Sequence, residues 1–446
     1  MDKNGTSDLF VARESGIYLY TNSGGTFVGK KIAAPFNDRS IPMSFALADI
    51  NNDGWIDLYV PAYLPKAKME GMNIFNKEGY GATGLMLLNN GDNTFKDITR
   101  ESGLEYVHNS FQGVFVDLDE DNQLDLVVAH DTGHVKTWKN LGNCKFQDAP
   151  NPSSSAYSYP MGIGVGDYNN DGRADLFFSN VGPTVPTFMA RGDLRPDQTF
   201  NPKLLFFRSD GGFKLTDVAA ETKTADYEFS WGILMQDFNL DGRQDIAIAQ
   251  NFIDFPGHKF FRLPGRLLMQ KDDSTFAAVE QQAGVENRLF AITPLSADFN
   301  ADGYPDLVYA NLNGPARVFL SKGGTAHYLK VALKDEPKSI GAIVTVETGA
   351  GKRLFGHFVT SEGLCSDSSH VLTFGLGAEE AVKKVTIKYL SGGIETIENP
   401  KANSTLSCQG PPPPAPPSVI PANEPAAAAP ETPKSPAKPH KKGGGK

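Results

Sequence analysis

The chain has 446 residues, 40% hydrophobic and 21% charged, with 45 glycines, 30 prolines and a formal net charge of −10. One hydrophobic core stops growing at roughly 250–300 residues, so a repeat architecture or several units is required. The acidity argues against a nucleic-acid binder, no apolar run reaches the ~18 residues of a membrane span, and three cysteines without a CxxC pair exclude a disulfide scaffold or zinc cluster.

The chain opens inside a pattern that recurs. In MDKNGTSDL, Asp2, Asn4, Gly5 and Asp8 fall on the third, fifth, sixth and ninth positions of an acidic loop. The first position would precede Met1, which predicts an amino-terminal truncation that removed part of a blade and an export signal. LYTNSGGTF (19–27) then reads as a hairpin, an apolar strand entering a Gly/Asn turn and leaving toward an aromatic.

Five complete loops follow: ADINNDGWIDLYV from Ala48, VDLDEDNQLDLVV from Val116, GDYNNDGRADLFF from Gly166, QDFNLDGRQDIAI from Gln236 and ADFNADGYPDLVY from Ala297. Their first aspartates are 68, 50, 70 and 61 residues apart. Hairpin signals follow the first four at 87–95, 138–146, 205–213 and 268–276. Strand, loop, strand and hairpin make a four-stranded antiparallel blade, the unit of a β-propeller. Inserts at about 61–84, 181–203 and 251–265 explain the uneven spacing and are expected on one face, the binding face.

Calcium takes 6–8 oxygens from carboxylates, amides and carbonyls. Side chains at loop positions one, three, five and nine, with the carbonyl at seven, supply them, and glycine at six permits the turn. The expected ligands are Asp49, Asn51, Asp53, Trp55 and Asp57; Asp117, Asp119, Asp121, Gln123 and Asp125; Asp167, Asn169, Asp171, Arg173 and Asp175; Asp237, Asn239, Asp241, Arg243 and Asp245; and Asp298, Asn300, Asp302, Tyr304 and Asp306. Asp2, Asn4 and Asp8 form a partial loop. In the second complete loop Asn122 replaces the glycine, and asparagine tolerates the left-handed region. An EF-hand would need glutamate at position twelve and a following helix, but Val60, Val128, Phe178, Ile248 and Tyr309 stand there. Metal-free Asx turns are the plainer alternative. Against them, sixteen loop carboxylates would repel one another, and five divalent ions would cancel the formal charge of −10. About five structural Ca2+ sites are therefore expected, filled at extracellular calcium levels of order millimolar.

From His327 the chain reads HYLKVAL, SIGAIVTVETGAGKRLFGHF and HVLTFGLGAEEAVKKVTIKYLSGG, β-rich runs broken by glycine turns. The blades resemble FG-GAP and VCBS repeats. This last stretch resembles the ASPIC and UnbV domain, which follows such propellers in the cartilage acidic protein 1 family and its bacterial relatives. Ile340-Gly341-Ala342 and Phe374-Gly375-Leu376-Gly377 fit that pattern, while Tyr389-Leu390-Ser391-Gly392 and Gly363–Ser366 depart from it. The resemblance implies a secreted or surface calcium-binding protein and no known catalytic site.

The predicted fold is all-β: a propeller over 1–325, with six blades represented and seven when intact, a small β-domain over 326–408, and a disordered Pro/Ala/Lys-rich tail over 409–446. Residues 410–446 hold 12 prolines. Cys365 and Cys408 are open to a disulfide, beside the alternative of three reduced thiols. Four other signals carry little weight. Arg191-Gly192-Asp193 is a chance-level motif. Gly162, Gly164 and Gly166 suit close backbone approach. His130 and His134 lie on a turn, and Tyr227, Phe229 and Trp231 suit packing. The function expected is a non-enzymatic binding or adhesion module, secreted, periplasmic or surface-exposed, taking a protein or glycan on the insert face. The alternative is a carbohydrate-active lyase or dehydratase, which would need a cluster around a residue such as His108 or His258.

Overall fold

A computed structural model describes residues 1–69, 79–184, 194–251, 263–334, 336–368, 370–408 and 410. Arg191-Gly192-Asp193, His258, most of the third insert and the tail beyond 410 lie outside the described residues.

The first blade is a three-stranded sheet of β1 (Leu9–Arg13), β2 (Gly16–Ser23) and β3 (Thr26–Lys31). A short pair follows, β4 (Ile41–Pro42) with β7 (Ala62–Tyr63). The second blade orders β5 (Ala46–Ala48), β6 (Asp57–Val60), β8 (Leu85–Asn89) and β9 (Phe95–Asp97). Blade three runs through β10 (Ser110–Val116), β11 (Asp125–His130), β12 (Lys136–Asn140) and β13 (Phe146–Ala149). Blade four contains β14 (Ile163–Gly166), β15 (Asp175–Phe178), β16 (Leu205–Ser209) and β17 (Leu215–Asp217). Blade five contains β18 (Ser230–Gln236), β19 (Asp245–Gln250), β20 (Arg266–Gln270) and β21 (Phe276–Ala278), and blade six β22 (Ala291–Ala297), β23 (Asp306–Asn311) and β24 (Arg317–Phe319). All pairings within these blades are antiparallel, and the inner strand β10 lies against β5 and β14, as β18 lies against β14 and β22. The result is the propeller arrangement, with six blades represented.

The second strand of each complete blade is read from Val, Ile, Leu, Phe and Tyr and is buried throughout β6, β11, β15 and β19. Burying one such side chain contributes roughly 1.5–3 kcal/mol, and two adjacent blades cover both faces of the sheet between them. Because neighbouring strands are antiparallel, the acidic loops and hairpin turns lie at one end of the blades. The connections that carry the inserts lie at the other.

The remaining strands form two sheets. One orders β28 (Val371–Gly377), β25 (His327–Leu333) and β31 (Ser404–Cys408), the other β27 (Arg353–His357), β26 (Ile343–Thr348), β29 (Val382–Lys388) and β30 (Ile394–Glu398). This β-domain sits on the acidic-loop end and shares one apolar core with blades one to three: Ile50, Ile56 and Leu124 belong with Leu329, Ile340 and Tyr389. Its Gly377 N–H bonds the Leu240 carbonyl at 2.8 Å. A side chain at Gly375 would strike Asp237 and Leu240, so the Phe374–Gly377 motif is a surface shaped to meet the fourth complete loop.

Between β27 and β28 the domain sends residues 359–367 down the propeller axis, where they touch four inner strands. Thr360 Oγ1 bonds the Leu47 carbonyl at 2.8 Å. Gln112 spans the turn, donating to the Ser361 carbonyl at 2.5 Å and accepting from the Cys365 N–H at 2.8 Å. Gly363 pairs with Ile163 through two backbone bonds, 2.9 and 2.7 Å. Thr293 Oγ1 meets Ser366 Oγ at 2.9 Å. The inner strands change register at Ser110/Gln112 and Ala291/Thr293, bulges that turn Gln112 and Thr293 to the axis. Leu364, at the tip, packs with Tyr159, Met161 and Val181, with Trp231 against the cluster.

The open disulfide reading is corrected here: all three cysteines are free thiols. Cys365 is held on the axis by Gln112, whereas Cys408 is buried at the end of β31, opposite Leu333.

Gly363 has φ +94°, and an added methyl would lie 2.9 Å from Thr293 Oγ1. Gly363→Ala is expected to lose about 1–3 kcal/mol from backbone strain alone. An unchanged urea midpoint for this variant would contradict the axial seating of the segment.

Candidate metal centres

Each acidic loop is built by the same bonds. The ninth-position aspartate joins three strands. Asp57 accepts the N–H of Ile50 at 3.0 Å and that of Asn89 at 2.8 Å. The equivalent pairs are Leu118 and Asn140 on Asp125, Tyr168 and Ser209 on Asp175, Phe238 and Gln270 on Asp245, and Phe299 and Ser321 on Asp306. The first-position aspartate caps the turn: Asp49 accepts from Asp53 N–H at 2.9 Å and Gly54 N–H at 2.7 Å. Asp167, Asp237 and Asp298 repeat this, and Asp117 accepts from Glu120 and Asn122.

The sixth position is left-handed in every loop, including Asn122 at φ +66°. The fourth position is left-handed as well, at Asn52, Glu120, Asn170, Leu240 and Ala301. The loop pattern alone did not reveal this second site of strain, because these residue types have little in common.

Among the described residues, the second complete loop gathers its acidic side chains most closely. Asp117, Asp119 and Asp125 converge with one oxygen each within 4.8 Å of the others. In the other four loops the third residue is asparagine, and its amide nitrogen donates to the fifth-position carboxylate: Asn51 to Asp53 at 2.8 Å, Asn169 to Asp171 at 3.0 Å, Asn239 to Asp241 and Asn300 to Asp302 at 2.9 Å. The same carboxylates accept the N–H of Trp55, Arg173, Arg243 and Tyr304, so the seventh-position backbone is drawn into the loop. Gln123 N–H does likewise with Asp121.

Cations of the chain itself also reach these carboxylates. Arg173 and Arg243 pair with Asp171 at 2.7 Å and Asp241 at 2.5 Å. Lys139 pairs with Asp119, and Lys330 of the β-domain with Asp298. Neither lysine belongs to the loop pattern, and only the fold places them there.

Burial makes several of the loop carboxyls hard to ionise; at Asp298 it is outweighed by Lys330 and the Gly303 N–H, which lower that carboxyl. Burial pushes Asp49 and Asp167 up to about 6, against the N–H bonds they accept. Burial raises Asp57 to about 7 and Asp125 to about 8. Asp237 rises to about 7 through burial and then the charge of Asp241. Asp175 and Asp245 are also raised, again mainly by burial. Acidic oxygens gathered in this way suit a hard divalent cation, which would remove the reason for holding protons.

The other sequence signals fall elsewhere. His130 bonds Tyr106 through Nε2 at 2.8 Å and the His134 carbonyl through Nδ1 at 3.0 Å, and His108 stacks on it at 4.4 Å. These are packed histidines. Gly162, Gly164 and Gly166 give room for Gly232, Ile233 and Met235 of the next blade.

Loop and domain together define a class: an FG-GAP-like repeat matches residues 1–60 and 117–178, and an ASPIC and UnbV domain matches residues 332–412. The chain is thus a β-propeller of FG-GAP-like repeats carrying an ASPIC and UnbV domain. It is similar to cartilage acidic protein 1 of Homo sapiens, 28% identical over 97 residues, which are 21% of this chain and 15% of that protein. The match therefore spans a small part of the relative. Among solved structures, the Bombyx mori GH32 beta-fructofuranosidase BmSUC1 aligns with 89% of this chain and 77% of its own, at 11% identity and TM-score 0.36. The Bacillus licheniformis rhamnogalacturonan lyase PL11 aligns with 88% and 81%, at 9% identity and TM-score 0.32. Likeness at that level carries no functional meaning.

The raised carboxyls have a measurable consequence in protein stripped of divalent ions. Their folded pKa values lie above the ordinary 3.9 of aspartate, so the stability they contribute is present at low pH and lost as pH rises through about 6–8. The melting temperature in EDTA should fall between about pH 7 and 8.5, a window largely above the titration of unfolded histidine at about 6.5. A flat or rising profile there would show that the loop carboxyls are not held protonated.

Proposed function

We propose that this protein is a calcium-stabilised, non-enzymatic binding module acting outside the cytoplasm, as a secreted, periplasmic or surface protein. The domain boundaries carried forward are 1–325 for the propeller, 326–408 for the β-domain and 409–446 for the tail. The observation that carries the reading is the convergence of Asp117, Asp119 and Asp125 in one loop, within a hydrogen-bonding pattern that the other four loops share. The residues that would hold Ca2+ are the side chains at positions one, three, five and nine of each loop, with the carbonyls of Trp55, Gln123, Arg173, Arg243 and Tyr304. The bound ion would replace charge that Lys139, Lys330 and the loop arginines supply only in part. The need for extracellular calcium levels supports the proposed location.

The β-domain covers the loop end, so calcium would act on stability and on domain docking. Ligand contact then belongs to the opposite end, where the inserts emerge.

Calorimetry tests the calcium reading. One site at a hundredfold excess over its dissociation constant adds about 2.7 kcal/mol, so several sites should raise the melting temperature by well over ten degrees relative to EDTA. Equal melting in calcium and EDTA would reject it. Lys330→Met offers a second check. Without calcium it strands a half-buried Asp298 and should cost up to about 3 kcal/mol, whereas in calcium the difference should shrink. A cost independent of calcium would separate Lys330 from the ion.

A further inference from the structure

Between the β-domain and blades four to six lies a cavity of about 330 Å3. Val165 of β14, Met235 of β18 and Ala297 of β22 form its propeller wall, and Phe358, Leu372 and Phe374 face them from the β-domain. Each of these inner strands is paired with the second strand of its own blade. At ~30 Å3 for each water of the liquid, the space suits a ligand of roughly ten non-hydrogen atoms.

One carboxyl enters this largely apolar space without a countercharge. Glu362, on the axial segment, accepts the Val165 N–H through Oε2 at 3.4 Å, and its carboxylate meets no other donor among the described residues. Burial pushes that carboxyl up to about 8, against the single bond it accepts. The one lysine in the wall, Lys330, is held by Asp298. His370 pairs with Asp367 at 2.9 Å, and its ring meets Phe358 edge-on at 5.7 Å. His357 stands in the same wall, and its buried Nε2 has no hydrogen-bond partner among the described residues. A bare metal ion does not fit these groups, since among the described residues three ligating side chains converge only at Asp117, Asp119 and Asp125. One carboxylate set in an apolar wall favours a cation that brings its own apolar body.

We propose that this cavity binds a small organic cation, a primary ammonium on a compact apolar body, with the ammonium on Glu362 and the body between Met235, Phe358 and Phe374. The ammonium supplies the countercharge that lets Glu362 ionise, and a charge-assisted hydrogen bond is about twice as strong as a neutral one. His357 Nε2 offers a second polar contact. Small-molecule sites commonly take this form, a mostly apolar cleft between two bodies with a few placed polar groups. Because both bodies form the walls, the ligand would tie the β-domain to the propeller. Glu362 belongs to no acidic loop, so the site is separate from the calcium centres and from any partner on the insert face.

The probe is phenethylamine, titrated by calorimetry into the full chain in millimolar calcium, with phenylethanol and phenylacetate as its neutral and anionic counterparts. The expected result is one-to-one saturable binding of the amine, at least tenfold weaker binding of the alcohol and none of the acid. Glu362→Gln keeps an acceptor for the Val165 N–H and removes the buried charge. Its melting temperature without ligand should match or exceed that of the parent protein, while amine binding falls at least tenfold. The comparison of amine with alcohol on the parent protein reads the charge requirement even where the variant fails to fold. No binding of the amine, equal binding of the alcohol, or undiminished binding by folded Glu362→Gln would overturn the proposal. So would binding in EDTA that millimolar calcium abolishes, which would place the ammonium on the loop carboxylates Asp167 or Asp298 instead.

Discussion

The buried ninth-position aspartate is the constraint on which the fold depends. It sits at the junction of the inner strand, the second strand and the hairpin, and one carboxylate accepts N–H groups from two of them. A buried unpaired N–H costs about 1–3 kcal/mol, so each such aspartate satisfies two donors that the blade geometry would otherwise strand. The same position forces acidic oxygens into a space where burial opposes their charge. Strand pairing and the burial of acidic oxygens therefore have one origin, and the repeat propagates both together around the axis.

The β-domain is best understood as a second consequence. It lies across the loop end, meets Asp237 and Leu240 through Gly375, and brings Lys330 to Asp298. Its axial segment fixes four inner strands by bonds to Leu47, Gln112, Ile163 and Thr293. A propeller whose blades meet only their neighbours gains a central tie in this way. A change in loop charge would be felt first at this contact, because the lysine of one body neutralises a carboxylate of the other.

Much of this was legible in the residues. Second strands, loops and hairpins recur with a register that fixes which aspartate ends the inner strand and which begins the next. Even the opening residues could be aligned with the loop pattern, and Met1 stands at the second loop position, paired with Asp8. The β-domain motifs could be recognised, but their purpose could not. Gly341 and Gly375 are small because Leu390, Leu124 and Asp237 approach them, and those partners lie far away in sequence. The axial segment was invisible for the same reason. It has no periodic pattern, and its partners Gln112 and Thr293 look like ordinary strand residues until bulges turn them inward. The lysines at the loops were missed because their carboxylates lie on other strands or in the other body. The open Cys365–Cys408 pairing was a composition argument and could not register that one thiol follows the propeller axis while the other ends a strand.

The central claim is that cations bind in the loops. The most direct measurement is an anomalous difference map from crystals grown with calcium. Five peaks should appear, each about 2.3–2.6 Å from the carboxylate oxygens of one complete loop, with Lys139 and Lys330 turned away from the carboxylates they now meet. Loops that keep their present bonds and show no anomalous density at saturating calcium would contradict it.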